Sequence, residues 1–377
     1  MARKNIPYGH QWIGVDDIGE VAKVLKSDWL TQGPKVEEFE RAVARYCKAK
    51  YAVAVSSGTS ALYMAYMAAG IKEGDEVITT PLTFAATANM LFFCGAKPIF
   101  VDIQKDTLNI DYLEIEKRIT EKTKAIAIVD FAGHPCDFDE ILKIAKEHKL
   151  LVIEDACHAL GAKYKGKKIG SFADMTVLSF HPVKHITTGE GGMILTDSKD
   201  FYDKLKVLRS HGIIKKPEKG SWYYEINNPS FNFRISDIQC ALGVSQLKKI
   251  DRFLGRRKEI AKMYNKSLGD INEIILPTER DYVKSAWHLY AIQVQGIDRR
   301  KFFERLHKEG ILVQVHYMPL HMHPFYQNKF GYKLGDFPVA EKYYENAITL
   351  PLFPKMIDSD VKRVIETVKK VISYCKK

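Results

Sequence analysis

The chain has 377 residues, of which 46% are hydrophobic and 27% charged, a composition typical of a globular protein that buries a sizeable core. A chain of this length suits one large domain and one smaller domain. The net charge of +11 has three interpretations: a lysine-rich surface, attraction of a small anionic molecule, or nucleic-acid binding. We expect no nucleic-acid binding, because the basic residues are spread along the chain and mostly interleaved with acidic ones, as in KKPEKG and RRKEIAK.

The sequence carries no recognisable signal for export, membrane insertion or metal binding. Its N-terminal stretch MARKNIPYGHQWIG has basic residues but lacks the apolar segment of a signal peptide. No apolar run approaches the roughly 18 residues that span a bilayer. The six cysteines are scattered, without a C-x-x-C pair, which argues against a zinc site or a disulfide framework. We therefore expect a cytoplasmic protein that has no metal site and does not associate with membranes.

From about residue 36 the chain alternates between helical and strand patterns. The stretch VEEFERAVARYC predicts a helix with an apolar face formed by Val36, Phe39, Val43 and Tyr46. Apolar runs then predict strands at YAVAV, DEVITT, KPIFVDI, KAIAIVD and KLLVIED. Uniformly apolar strands separated by amphipathic helices are typical of a parallel sheet covered on both faces. We therefore predict an α/β fold with a large doubly wound, mostly parallel sheet, in a domain of residues 1–246.

The pattern changes after ISDIQCALGVSQLKKI. A long helical stretch, DRFLGRRKEIAKMYNKSL, is followed by the strand-like HLYAIQVQ, a further helix and the segment GILVQVHY, and a terminal helix begins at Asp358. This order of elements predicts a smaller C-terminal α+β domain of residues 247–377.

Ligands of parallel α/β sheets bind beyond the carboxyl ends of the strands, so these ends hold the candidate site. After YAVAV, Gly58 and Thr59 open a helix whose backbone N–H groups can approach a phosphate, although small residues there are often only caps. After DEVITT, Phe84 is either a core aromatic or a stacking partner for a planar ring. After KLLVI, Asp155 needs a partner: the alternatives are a helix cap, a local salt bridge and a heterocyclic cation.

The strand MTVLSF ends at Ser179, which can donate to a phosphate, and Lys184 follows in SFHPVKHITTGEGG. One ligand satisfies all four strand ends. Pyridoxal phosphate needs a lysine for its aldehyde, a carboxylate to keep its pyridine nitrogen protonated, a phosphate cradle and a stacking face. We therefore expect this cofactor.

Eight segments carry a resemblance to a known family: LTQGPKVEEFE, SSGTSAL, TTPLTFAATANM, EDACHALGA, SFHPVKHITTGEGG, RSHGI, NFRISDIQCALG and VQVHYMPLH. Over essentially its whole length the chain resembles the nucleotide-sugar aminotransferases of the DegT/StrS type, which are fold-type I pyridoxal-phosphate enzymes. The resemblance implies transfer of an amino group from L-glutamate to a nucleotide-linked keto sugar. It also implies a homodimer whose active sites form between the two chains.

The resemblance assigns cofactor roles to the matched residues. Lys184 binds the cofactor aldehyde and moves the proton, Asp155 pairs with the pyridinium, and Phe84 stacks on the ring. The phosphate is held by Gly58, Thr59, Ser179 and, from the neighbouring subunit, Asn232.

Four further residues are assigned to the substrate or to the cofactor's phenolic oxygen. Arg234 meets a substrate anion or forms an interface salt bridge. His158 stands where many members, especially those that act at the 3-position of the sugar, carry glutamine, and it is a hydrogen-bond candidate for the phenolic oxygen. His316 and Tyr317 either face the sugar or belong to the core.

Three tracts, TTPLTFAATANML, NFRISDIQCALGVSQLKKI and GILVQVHYMPLH, are similar to family members that aminate a UDP-linked 4-keto-6-deoxy-N-acetylhexosamine in pseudaminic acid synthesis. A dTDP-linked sugar, a 3-keto sugar and a keto-inositol are the alternative acceptors. Dehydration of a deoxy-sugar, found in members with histidine in place of the lysine, is disfavoured by Lys184. A non-enzymatic, DNA-binding regulatory protein is the alternative from a different functional class.

Overall fold

The computed structural model describes residues 5–375. The predictions that extend to residues 1–4 and 376–377, namely the N-terminal stretch and the outer limits of the two domains, lie partly outside the described residues. The helices are α1 (Val15–Leu25), α2 (Pro34–Cys47), α3 (Gly58–Ala68), α4 (Ala86–Phe93), α5 (Tyr112–Ile115), α6 (Phe138–Glu147), α7 (Lys199–Leu208), α8 (Asp237–Leu247), α9 (Ile250–Leu268), α10 (Arg299–Lys308), α11 (Pro324–Phe330), α12 (Pro338–Asn346) and α13 (Asp358–Cys375).

The strands are β1 (Ile6–Pro7), β2 (Tyr51–Val55), β3 (Glu76–Thr79), β4 (Lys97–Phe100), β5 (Thr123–Val129), β6 (Leu151–Asp155), β7 (Lys163–Tyr164), β8 (Lys167–Lys168), β9 (Met175–Ser179), β10 (Gly192–Thr196), β11 (Ile213–Lys215), β12 (Tyr224–Ile226), β13 (Ile274–Ile275), β14 (Val283–Lys284), β15 (Tyr290–Val294), β16 (Ile311–Leu312) and β17 (Ala347–Leu350). The strands predicted from YAVAV to KLLVIED are all present.

Seven of these strands form the central sheet, in the order β2-β10-β9-β6-β5-β3-β4. Strand β10 runs antiparallel to both of its neighbours, and the other pairs are parallel. Successive residues of a strand pack into different cores on the two faces: Ile126 belongs to one buried cluster and Ala127 to another. Both faces are therefore covered, and the predicted α/β architecture with a large, mostly parallel sheet is confirmed.

Helix α2 shows why the hydrophobic periodicity predicted this helix correctly. Pro34 occupies its first turn and Lys48 ends it in the left-handed conformation, as expected of helix boundaries. Val36, Phe39 and Val43 are buried against the central sheet. The periodicity of 3.6 residues per turn thus identified the face that packs on the sheet.

The C-terminal part of the chain has a core of its own, formed mainly by residues 260–375 around the sheet β13-β15-β17. Ile6 joins this core, because β1 pairs in parallel with β16 and Ile6 lies opposite Ile311. The division into domains of residues 1–246 and 247–377 stays a prediction. Within residues 5–375, none of the helices combines the length and apolarity needed to cross a bilayer.

Candidate active site

A cavity of about 620 Å³ lies where the carboxyl ends of β2, β5, β6 and β9 meet. This is the edge at which parallel sheets bind their ligands. Nine of the eleven residues predicted for the site line the cavity: Lys184, Asp155, Gly58, Thr59, Phe84, Ser179, His158, His316 and Tyr317. The structure therefore brings together segments that are far apart in sequence.

The loop after β2 provides one end of the cavity. Ser57 caps α3, and its Oγ accepts a hydrogen bond of 3.0 Å from the backbone N–H of Ser60. A Cβ added at Gly58 would stand 3.0 Å from Cβ of Ser179 and 3.3 Å from Sγ of Cys157. The first N–H groups of a helix lack intrahelical acceptors and favour anions. This end can therefore cradle a phosphate, and glycine keeps the cradle open.

Asp155 ends β6 and is only 6% exposed. Its Oδ2 accepts a hydrogen bond of 2.7 Å from Oγ1 of Thr87, and its Oδ1 accepts one of 3.2 Å from the backbone N–H of Cys157. No salt bridge to Asp155 is found in the described part of the chain. The local salt bridge considered for this carboxylate is therefore not what holds it; two neutral donors do, and the carboxylate lines the cavity.

Lys184 lies in the loop between β9 and β10 and lines the same cavity. Burial lowers the pKa of its amine. The carboxylate of Asp155 opposes this effect, while the positive charge of Arg257 adds to it. A lysine with a lowered pKa spends a larger fraction of its time as the neutral amine, which is the form that acts as nucleophile and base.

His158 and Tyr317 meet on the cavity wall, with the Tyr317 hydroxyl 3.3 Å from Nε2 of His158. Nδ1 of His158 is buried without a partner among the described residues. Burial, together with the charge of Lys184, lowers the pKa of His158 well below its usual value. The imidazole is therefore neutral at physiological pH and has one unused polar atom.

His316 is 8% exposed, and its Nδ1 lies 2.9 Å from Oγ1 of Thr349. Burial lowers the pKa of His316 to about 4, so its imidazole is also neutral. Burial raises the pKa of Tyr317. Both residues line the cavity, but His316 is also buried and Tyr317 also packs against a core cluster, so the choice between facing the sugar and a core role stays a prediction.

Phe84 is 57% exposed and lies 6.0 Å, between ring centroids, from Tyr317. A core phenylalanine would be buried, so the core alternative for Phe84 is wrong. The exposed ring lines the cavity, where it is available to stack on a planar ligand.

Asn232 and Arg234 do not line this cavity. Asn232 is exposed. Arg234 donates a hydrogen bond of 2.7 Å from Nη1 to Oγ of Ser210 and lines a second cleft of about 370 Å³ together with Arg209. Within one chain the structure does not bring these two residues to Lys184. Their predicted action across two subunits stays a prediction.

Sequence reasoning did not single out three residues of the cavity region. Tyr8 lines the cavity because the pairing of β1 with β16 carries the N-terminal segment there. Cys157 lies between Asp155 and Gly58, and Thr87 orients the Asp155 carboxylate. The tract TTPLTFAATANM contained Thr87, but only the geometry shows which of its threonines contacts Asp155.

The donors on the cavity wall fit pyridoxal phosphate. A lysine amine, a carboxylate held by neutral donors, a glycine at a helix N-terminus and an exposed aromatic ring match the aldehyde, ring nitrogen, phosphate and ring face of that cofactor. No group of three or more His, Cys, Asp or Glu side chains in residues 5–375 could hold a metal ion. Fold and site together define a pyridoxal-phosphate enzyme of the aminotransferase class.

Comparison with known families specifies the class. The chain belongs to the DegT/DnrJ/EryC1/StrS aminotransferase family, whose model matches residues 11–369. It is thus a sugar aminotransferase that depends on pyridoxal phosphate, and the family predicted from the sequence motifs is confirmed. Enzymes of this family take an amino donor and a nucleotide-linked keto sugar.

Two curated relatives match nearly the whole chain. The spore coat polysaccharide biosynthesis protein SpsC of Bacillus subtilis is 45% identical over 377 residues, which cover 97% of each chain. The UDP-4-amino-4,6-dideoxy-N-acetyl-β-L-altrosamine transaminase of Campylobacter jejuni is 42% identical over 379 residues, which cover 99% of each chain.

Solved structures show the same fold. PseC of Helicobacter pylori, an aminotransferase involved in the biosynthesis of pseudaminic acid, superimposes with a TM-score of 0.92 and 37% identity and covers 98% of this chain and 100% of its own. The pyridoxal-phosphate form of the sugar aminotransferase Spr1654 of Streptococcus pneumoniae superimposes with a TM-score of 0.93 and 35% identity, over 98% of this chain and 99% of its own.

Proposed function

We propose that the enzyme transfers the amino group of L-glutamate to the C4 keto carbon of a UDP-linked 4-keto-6-deoxy-N-acetylhexosamine, as a UDP-4-amino-4,6-dideoxy-N-acetyl-β-L-altrosamine transaminase of the pseudaminic acid pathway. The observation that carries the chemistry is the convergence of Lys184 and Asp155 on one cavity with a phosphate cradle at its end. The similarity to the Campylobacter jejuni transaminase and to PseC supports the choice of sugar.

The chemistry divides between cofactor and protein. When bound, pyridoxal phosphate supplies an electron sink for the negative charge that develops beside the transferred nitrogen. Lys184 holds the cofactor by its aldehyde. Once the amino group of glutamate has displaced Lys184 from that aldehyde, the freed Nζ would take a proton from the α-carbon of glutamate and later deliver a proton to C4 of the sugar. The lowered pKa of Lys184 favours the neutral amine that the first of these steps needs.

Asp155 supplies negative charge opposite the ring nitrogen. Because Thr87 and the Cys157 amide fix both of its oxygens, the carboxylate is already oriented before a ligand enters. A preorganised charge of this kind stabilises a protonated pyridine without reorganising during the reaction.

The other cavity residues bind and orient the cofactor and the sugar. Gly58, Thr59 and Ser179 bind the phosphate, and Phe84 stacks on the ring. The neutral His158 contacts the phenolic oxygen of the cofactor. His316 and Tyr317 face the sugar.

Asn232 and Arg234 act from a second subunit of a homodimer, Asn232 at the phosphate and Arg234 at an anionic group of the substrate. In support of this assignment, neither residue lines the Lys184 cavity of its own chain. We place the reaction in the cytoplasm.

The substrate assignment is tested with purified enzyme, 15N-labelled L-glutamate and a panel of UDP- and dTDP-linked 3-keto and 4-keto sugars together with a keto-inositol. Mass spectrometry of the products should show labelled amine only on the UDP-linked 4-keto sugar. Amine on another acceptor would move the assignment to that acceptor. No amine on any acceptor, together with duplex-DNA binding that weakens steeply with salt, would favour the regulatory alternative.

The role of Lys184 is tested separately by reduction of the loaded enzyme with borohydride and peptide mapping. The cofactor should be found on the peptide that contains Lys184, and the Lys184→Ala variant should not convert glutamate to 2-oxoglutarate. Attachment to a different lysine would overturn the assignment.

A further inference from the structure

A second buried cation lies behind the loop that carries Lys184. Arg257, on α9, is 1% exposed. Its Nη1 donates hydrogen bonds to the backbone carbonyls of Trp287 and His288, both at 3.2 Å, and of Leu352 at 3.0 Å, and its Nη2 donates to the carbonyl of Val183 at 3.4 Å. The guanidinium thus joins the peptide that precedes Lys184 to two segments of the C-terminal core.

The charge of Arg257 has no carboxylate partner. No ion pair to it is found within residues 5–375, and burial lowers its pKa to about 9, so the guanidinium remains charged at neutral pH. The neighbouring Arg256 also donates to a backbone carbonyl, that of Met356, but its side chain is 20% exposed and pairs with Glu259 and Asp358. A buried charge without a counter-ion acts on its neighbours with little screening.

Few of the groups that influence the pKa of Lys184 carry a charge at neutral pH. Burial keeps four groups near Lys184 neutral. It lowers the pKa of the imidazoles of His158, His185 and His288, and it raises the pKa of the Cys157 thiol. His316, with a pKa of about 4, is neutral too. Two of the surrounding groups then act on Lys184 as charges, the carboxylate of Asp155 and the guanidinium of Arg257. They act in opposite directions.

We infer that Arg257 is a positioning residue for Lys184: it anchors the Val183 carbonyl to the C-terminal core and places a positive charge beside the loop that carries the lysine amine. The inference rests on the proposed role of Lys184 as base. Asp155, which the ring nitrogen needs, would by itself hold a proton on that amine. Arg257 offsets the carboxylate, so that one cavity can contain both Asp155 and a basic, unprotonated lysine.

The test uses the cofactor-free full-length protein, so that the titration belongs to the free amine. Lys184 is labelled with a limiting amount of an amine-acylating reagent at a series of pH values, and the labelled peptide is quantified by mass spectrometry. The exposed Lys72 is the internal reference. In the wild type we expect Lys184 to reach half-maximal labelling at lower pH than Lys72.

Removal of the Arg257 charge should raise the pH at which labelling of Lys184 is half-maximal. In Arg257→Gln we expect labelling of Lys184 at about pH 7.5 to fall about tenfold, because the fraction of Lys184 present as neutral amine falls about tenfold when its pKa rises by about one unit. Arg256→Gln is the matched control and should leave the midpoint unchanged. In the loaded enzyme, the alkaline shift should reappear in the pH profile of kcat, which a merely structural role would not move.

Two results would overturn the inference: a wild-type midpoint for Lys184 equal to that of Lys72, or an unchanged midpoint in a folded charge-free variant. Circular dichroism establishes folding, and Arg257→Met, which fills the space without a donor, replaces Arg257→Gln if that variant does not fold. The wild-type comparison needs no variant. Absence of the cofactor from Lys184 in the peptide map would instead contradict the proposed function. Failure of the proposed function and failure of the inference about Arg257 are therefore distinguishable.

Discussion

Thr87 and Asp155 are joined by a hydrogen bond of 2.7 Å between Oγ1 and Oδ2, and both residues are buried. The Thr83 hydroxyl lies 2.8 Å from that of Thr87 and extends the contact toward the cavity. Helix α4 is thereby tied to the end of β6. The orientation of the Asp155 carboxylate therefore depends on a neutral hydroxyl contributed by the first turn of α4.

Thr87→Val should weaken cofactor binding, because the isosteric side chain fills the space but leaves Asp155 without one donor. We expect the Kd for pyridoxal phosphate to rise about fivefold to tenfold, equivalent to about 1–1.4 kcal/mol. Thr79→Val is the matched control: Thr79 Oγ1 donates to the Ala127 carbonyl inside the sheet, so this variant should lose stability without losing affinity. Equal affinities in the two variants would contradict the assigned role of Thr87.

Gly58→Ala should narrow the phosphate cradle, since the new Cβ would stand 3.0 Å from Cβ of Ser179. We expect at least about tenfold weaker binding of pyridoxal phosphate, measured by fluorescence titration of the cofactor-free protein. Gly19→Ala, on an exposed position of α1 with no atom within 4 Å of the added Cβ, should instead stabilise the protein by about 0.5–1 kcal/mol. Unchanged affinity in Gly58→Ala would place the phosphate elsewhere.

Glu154 and Asp130 form a buried carboxyl pair next to the site. Oε2 of Glu154 accepts a hydrogen bond of 2.6 Å from Thr176, and Oδ1 of Asp130 accepts one of 2.9 Å from the Cys136 amide. Burial raises the pKa of both groups, and the proximity of Asp130 raises the pKa of Glu154 further. The folded protein therefore keeps a proton that the unfolded chain releases above about pH 4.5.

This pair makes the free energy of unfolding depend on pH. Where the folded state binds more protons than the unfolded state, stability falls as the pH rises. Glu154→Gln removes the proton, so relative to the wild type the variant should become progressively more stable as the pH rises above about 4.5. Urea unfolding at a series of pH values measures the difference. Glu147→Gln, at an exposed position, should run parallel to the wild type; a parallel curve for Glu154→Gln would contradict the shared proton.

The proposed sharing of active sites between subunits has a direct complementation test. Lys184→Ala and Asn232→Ala should each be impaired alone. If Asn232 serves the partner's cavity, a hybrid dimer contains one site with both wild-type residues. After equal mixing and reassociation, about a quarter of the wild-type activity should return, because about half of the dimers are hybrids with one competent site of two. Activity that stays at the level of the separate variants would place both residues in the same chain's site.

The sheet and most of the cavity followed from the sequence, because both depend on local patterns. Uniformly apolar runs predicted β2 through β6. The rule that ligands bind at the carboxyl ends of parallel strands predicted that Gly58, Asp155 and Ser179 lie close together. The sequence did not decide whether Phe84 is a core aromatic or a stacking partner, because only the exposure of its ring in the folded protein distinguishes the two.

Residues whose position depends on distant packing were not predictable in this way. Tyr8 reaches the cavity through pairing with a strand near residue 311. Arg257 lies in the run RRKEIAK, which has the composition of a solvated helix face, yet it is buried whereas Arg256 beside it is partly exposed. A charged side chain buried against backbone carbonyls leaves no trace in a hydrophobic pattern.

The contact between Ile6 and Ile311 also constrains the order of assembly during synthesis. These residues emerge from the ribosome about 15–60 s apart at usual elongation rates. Ile6 therefore cannot complete its pairing with the C-terminal core until the whole intervening chain has been made. Ile6→Ala should accordingly destabilise the C-terminal core, which is distant in sequence, more than the central sheet.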